Sequence, residues 1–131
     1  MNYDKLTVNS QSVINQSFTI AAGYEHQAVE TGHILKAILE NEGEISSFIL
    51  GKFGINQSTL KQVLDRVINS YPKVSGGDNY LSSAAARALQ QAELSAMDMG
   101  DQFVSVEHLI TGILKAGDTT AQILKDNGIS E

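Results

Sequence analysis

The chain has 131 residues, one proline, no cysteine and a formal charge of −6. That length can bury one core without disulfides or metal, while the acidic balance and nine scattered lysines and arginines argue against a phosphate-backbone binder. No apolar run approaches the roughly 20 residues that span a bilayer, and the opening Met1-Asn2-Tyr3-Asp4-Lys5 lacks the form of a signal peptide, so a cytoplasmic protein without membrane or nucleic-acid partners is expected.

Alanine, leucine, glutamine and serine outweigh β-branched runs, and Pro72 is the lone helix breaker, which points to an all-α fold. Thr7 is placed to cap a helix reaching about Ala22, with Ile14, Phe18 and Ala21 on one stripe and Gly23 as its stop. A second helix runs from about Thr31 to Glu42, burying Ile34, Leu35, Ile38 and Leu39, with Gly43 ending it. A short third carries Ile45, Phe48, Ile49 and Leu50 before Gly54, and Asn56 caps a fourth with Leu60, Val63, Leu64, Val67 and Ile68 at the helical period.

Tyr71 to Tyr80 holds Pro72 and the Gly76-Gly77 pair and is predicted to be a connector. Beyond it, Ser82 or Ser83 opens a helix burying Ala85, Leu89, Ala92 and Ala96 and ending near Met99-Gly100. Ser105 or Val106 opens the next, with Leu109, Ile110, Ile113 and Leu114 inside, and Asp118 caps one holding Ile123 and Leu124 before Gly128.

These elements are two copies of one unit. At an offset of 75 residues Leu6 to Leu39 lies over Leu81 to Leu114 without a gap, matching Gln16 with Gln91, Gln27 with Gln102, Val29 with Val104 and His33 with His108. After one deletion, Ile49-Leu50 falls on Ile123-Leu124 and Gly54-Ile55 on Gly128-Ile129. The expected architecture is a single domain over residues 1–131, with repeat one at about 6–70, a linker at 71–80 and repeat two at about 81–131. The repeats are two tandem four-helix units related by a pseudo-twofold axis. An eighth helix after Ser130 is truncated, leaving an exposed scar and suggesting a piece of a longer polypeptide.

Chemistry is hard to find. The stretch Gly43 to Phe53 fails as a phosphate loop, because Ser46 stands where its first glycine belongs and Phe53 where a magnesium-binding hydroxyl belongs. There is no cysteine and no serine in a nucleophile elbow. His33 and His108 sit in matching first turns, where a ring can bond nearby backbone, so His26, His33 and His108 are read as structural and not as metal ligands. A non-catalytic binding module is expected. Asp101 and Glu107 lie where the first copy has His26 and Gly32; since structure alone permits one solution in both copies, this divergence points to function, an acidic rim for a basic partner segment. Thr7, beyond capping, lies where the repeats should approach.

The helix-opening motifs V-E-T-G-H-I-L-K-A-I-L and V-S-V-E-H-L-I-T-G-I-L, with the G-I-N and G-I-S repeat ends, resemble the N-terminal domain of the Clp Hsp100 chaperones over essentially the whole chain. The connector Y-P-K-V-S-G-G followed by Y-L-S, and the opening D-K-L-T, are similar to the ClpB disaggregase type. Gly32 replaces an acid that ClpC-type relatives carry in both repeats. The resemblance implies a mobile domain of a hexameric AAA+ unfoldase that captures exposed apolar stretches of unfolded or aggregated proteins and helps pass them to an ATP-driven pore. ATP, magnesium and the Hsp70 system would be engaged by other parts of the full-length protein, with no cofactor in this fragment, itself monomeric. It also implies chaperone roles for Thr7, Asp101 and Glu107, and an apolar groove between the repeats mapping to Tyr3, Ile14, Tyr80, Leu81 and Leu89. The alternative is an adaptor-docking domain of a ClpA or ClpC-type unfoldase working with a protease.

Overall fold

The computed structural model describes residues 3–41, 51, 54, 57–74 and 76–129. A 3-10 turn at Tyr3–Lys5 leads into α1 (Val8–Gly23), β1 (Ala28–Val29), α2 (Thr31–Glu40) and α3 (Gln57–Asn69). The second half continues with β2 (Tyr80–Leu81), α4 (Ser83–Asp98), α5 (Val106–Ala116) and α6 (Thr119–Asp126). The all-α expectation is met apart from the two short strands. The expected third helix with Ile45, Phe48, Ile49 and Leu50, the stop at Gly43 and the caps at Asn56 and Ser130 lie outside the described residues.

Local chemistry sets the helix starts. Thr7 Oγ1 accepts the Ser10 amide (3.1 Å), and its repeat-two counterpart, Ser82 Oγ, accepts the Ala85 amide (3.0 Å), so each repeat's first helix has the same hydroxyl cap. Asp118 Oδ1 caps α6 by accepting from Ala121 (3.1 Å), while Oδ2 takes a bond from the Thr31 hydroxyl of α2 (2.6 Å) and ties the repeats together. The exit of α1 differs from expectation: the helix includes Gly23, and the left-handed residue is Glu25 (φ 61°). In repeat two the same place is Gly100 (φ 73°), which adopts that conformation without a Cβ penalty.

In the core, α2 and α5 are the most deeply set helices, contributing Ile34, Leu35, Ile38, Leu109 and Ile113, each at most 2% exposed. Leu60, Leu64 and Ile68 of α3 are buried, whereas Val63 and Val67 are only partly covered. Packing across the repeats is reciprocal, α1 lying against α5 and α4 against α2. No apolar scar marks α5 or α6, whose Leu109, Ile110, Ile113, Leu114, Ile123 and Leu124 are all buried. Instead, exposed apolar side chains gather at the end of α4 and the following loop: Leu94, Met97, Met99 and Phe103.

Gly112 of α5 faces α4 so closely that a Cβ there would run into the Ala88 carbonyl oxygen and crowd Ala92. Its repeat-one equivalent is Ala37, so α1 and α2 stand far enough apart to hold a methyl group at the same point.

Candidate functional site

The chain crosses itself twice in the same way. Thr7 N–H donates to Val104 O (3.0 Å) and Val104 N–H to Lys5 O (2.7 Å), forming a parallel bridge between Leu6 and Val104. Seventy-five residues on, Ser82 N–H donates to Val29 O (3.0 Å), and β1 and β2 run parallel with Ala28 opposite Tyr80 and Val29 opposite Leu81. The start of each repeat is thus stitched to the loop of the other. Two-residue pairings leave no periodic trace, and the sequence carried them only as the matched Val29 and Val104.

Between the crossings lies a groove of about 220 Å³, lined by Tyr3, Leu6, Ile14, Phe18, Leu81, Ala86 and Leu89. Four of the five apolar positions expected at such a groove meet here: Tyr3, Ile14, Leu81 and Leu89. Ile14 and Leu89 are 4% and 6% exposed and form its floor, while Tyr3, 41% exposed, stands at its edge with its hydroxyl donating to Asn15 Oδ1 (2.7 Å). Tyr80 is elsewhere, in a second cleft with His26, Tyr71, Pro72 and Val74. Leu6, Phe18 and Ala86 were not expected in the groove; the match of Leu6 to Leu81 was the signal available for the first.

Thr7, Asp101 and Glu107 do not line this groove, so the expected acidic rim is not found there. Leu6 enters the groove, while the Thr7 side chain folds back onto the start of α1, where Oγ1 accepts the Ser10 amide, and only the Thr7 backbone meets Val104. Asp101 Oδ2 lies 3.0 Å from His108 Nε2, and Glu107 is exposed in the first turn of α5, where negative charge suits the helix dipole.

The histidines explain the difference at Asp101. His108 Nδ1 accepts the Ser105 amide hydrogen (2.9 Å), so the ring carries its own hydrogen on Nε2 and donates it to Asp101. In repeat one, His33 Nδ1 accepts from the Glu30 amide (2.9 Å), and Nε2 donates to His26 Nδ1 (2.9 Å). His26 and Asp101 are the same part, an acceptor for the helix-opening histidine. His26 must then hold a hydrogen on Nε2, which is buried without a hydrogen-bond partner among the described residues. Its ring stacks on Tyr24 (centroids 5.4 Å apart) and meets Tyr71 edge-on (5.6 Å). Burial, reinforced by the His26 ring, lowers His33 to about 4, and burial likewise lowers His26.

The contrast between Gly32 and Glu107 also has a structural cause. A Cβ at Gly32 would strike the Tyr71 hydroxyl, because the Tyr71 ring lies over the start of α2 and against His33 (5.2 Å). Burial pushes the Tyr71 phenol up to about 12. Divergence between copies is therefore not by itself a mark of function, contrary to the sequence-based expectation. Ser105, His108 and Asp101 also line up like a nucleophile, base and orienting acid, with Ser105 Oγ 3.1 Å from His108 Nδ1. The Nδ1 lone pair is already engaged by the Ser105 amide, and Ser105 Oγ takes part in the helix cap, so this geometry does not provide a free general base.

Comparison with known proteins places this geometry in a group. The family model described as the Clp repeat (R) N-terminal domain matches residues 5–127. The chain is 37% identical over 131 residues to the chaperone protein ClpB of Bacteroides thetaiotaomicron, covering all of this chain and 15% of that protein. The chain thus spans a small part of the curated relatives it matches. Its fold is similar to the Hsp104 N-terminal domain from Candida albicans (TM-score 0.84, 17% identity, 96% of this chain and 83% of that one). It is also similar to a ClpV N-domain solved in complex with a VipB peptide (TM-score 0.80, 16% identity, 95% and 80%). With two reciprocally stitched repeats and a family match across nearly its whole length, the chain belongs to the Clp repeat N-terminal domain family.

Proposed function

We propose that this domain is a non-catalytic module that captures exposed apolar segments of unfolded or aggregated proteins for a ClpB-type, ATP-dependent disaggregase. The observation that carries this reading is the groove of Tyr3, Leu6, Ile14, Phe18, Leu81, Ala86 and Leu89, apolar, open to solvent and placed between the repeats. Burying one or two large apolar side chains there is worth about 1.5–3 kcal/mol each, less the cost of ordering the segment, so binding is micromolar or weaker. Weak binding suits capture, because several copies in one assembly raise the effective concentration and a loose grip permits transfer. In this reading the parent is a cytoplasmic hexamer in which other modules hold ATP and magnesium and engage the Hsp70 system. The complex of a structural neighbour with a VipB peptide fits a protein-binding role for the fold.

Titrating the isotope-labelled domain with a chemically alkylated, permanently unfolded protein tests the proposal. Resonances of Tyr3, Phe18, Leu81 and Leu89 should shift with micromolar or weaker affinity, and Leu81→Lys should weaken binding about tenfold. Shifts confined to Thr7, Asp101 and Glu107, with Leu81→Lys neutral, would overturn it. Tight binding to one folded protein, unaffected by unfolded competitor, would favour an adaptor-docking role instead.

A further inference from the structure

The floor of the groove obeys the pseudo-twofold relation and its ends do not. At the 75-residue offset Leu6 is equivalent to Leu81 and Ile14 to Leu89, so opposite sides of the floor are built from matched pairs. One helical turn beyond Ile14, on the same face of α1, stands Phe18; one turn beyond Leu89, on α4, stands Glu93. The residue before Leu6 is Lys5, and its equivalent before Leu81 is Tyr80. One end is therefore marked by Phe18, which lines the groove, and the other by Glu93 with its ion-pair partner Lys5, whereas Tyr80, the equivalent of Lys5, lies in the second cleft. Lys5 Nζ and Glu93 Oε1 lie 3.4 Å apart, with the lysine side chain 51% exposed and the glutamate 26%.

A floor with twofold symmetry offers the same apolar surface to a chain lying in either direction. Unlike ends remove that equivalence. Resting on the capture role above, we infer that the groove binds an extended segment in one direction, and that Glu93 is the specificity-determining residue, reading a basic side chain next to the segment's apolar residues. The sign follows from the available charges. Glu93 is the less exposed member of a long ion pair whose lysine is free to move into solvent, and an incoming arginine can engage a carboxylate through two parallel N–H bonds where Lys5 supplies one at 3.4 Å. The chain's charge of −6 adds a weak, salt-sensitive attraction for cationic segments.

The test is a fluorescence-anisotropy titration of the whole chain with synthetic peptides holding two adjacent apolar residues in a Gly/Ser background. One peptide has arginine after the apolar pair, one glutamate, one serine, and a fourth is the arginine peptide with its sequence reversed. The arginine peptide should bind about threefold tighter than the glutamate peptide, the usual scale of a partly exposed ion pair, and should differ from its reverse by a similar factor. Glu93→Gln should erase the arginine preference while leaving the serine peptide's affinity unchanged. Glu93→Phe, which gives both ends a phenylalanine, should bring the forward and reversed peptides together. Equal binding of arginine and glutamate peptides to the unaltered chain, or a preference for glutamate, overturns the inference while binding of the serine peptide, weakened by Leu81→Lys, leaves the capture role standing. Failure of every peptide to bind refutes both.

Discussion

His33 and His108 each close a helix cap through Nδ1 and donate through Nε2, yet one donates to a ring and the other to a carboxylate. The repeat-one pair has no comfortable place for an extra proton, since His33 Nδ1 holds the Glu30 amide and His26 Nδ1 holds the His33 hydrogen. Both rings have lowered pKa values, His33 to about 4. Below the ordinary histidine value of about 6.5 the unfolded chain therefore binds protons more readily than the folded one. Stability should be complete above about pH 6.5 and fall as pH drops toward about 4, by on the order of 2–3 kcal/mol. Urea midpoints between pH 7 and 5 measure this before most carboxylates titrate, and a slope that persists in His33→Gln would assign it to another group. Tyr71 offers a second test. Gly32→Ala should cost about 1–2 kcal/mol in the native chain and clearly less beside Tyr71→Phe, which removes the hydroxyl the new methyl would strike. Thermal unfolding of the four variants gives the coupling, and strict additivity would show that the contact is not responsible.

The paired helices α4 and α5 depend on Gly112 in a way that α1 and α2 do not depend on Ala37. Adding a methyl at Gly112 improves helix propensity by up to about 1 kcal/mol, but the Ala88 carbonyl opposite is backbone and cannot yield without parting the helices. Gly112→Ala should thus destabilise by about 2 kcal/mol, whereas Ala37→Gly should cost only the propensity term, about 1 kcal/mol. Chemical denaturation of both variants decides it; a stabilised Gly112→Ala would mean that the two helices separate easily. The helices themselves were legible from sequence because caps and stripes are local signals: Thr7, Ser82, Ser105 and Asp118 all start helices as expected. The site was legible only in part. Ile14, Leu81 and Leu89 follow from the repeat and the resemblance, but the reasons for Gly32 and His26 lie in Tyr71 and His33, contacts that no spacing rule reveals. Glu25 was missed for a similar reason, since Gly23 looked like the natural left-handed residue and the turn falls two places later.

Across the whole molecule the two crossings make each repeat's first helix depend on the other repeat's loop. The amide of Thr7 bonds to Val104 and that of Ser82 to Val29. Both should exchange with solvent only through global unfolding, with equal protection and a single urea dependence in native-state hydrogen exchange. Protection of Ser82 that outlasts that of Thr7 would mean that one half survives alone.

The same crossings change what a single break in the backbone would do. Gly76 and Gly77 are exposed in the connector, outside every helix and strand. A cut between them leaves both crossings intact in the folded state but removes the tether that holds the halves at high effective concentration. Folding would then obey mass action: the nicked protein should be whole at high concentration and fall apart on dilution, its melting temperature rising with the amount present. What the continuous chain treats as internal architecture, the nicked one treats as a complex between two partners.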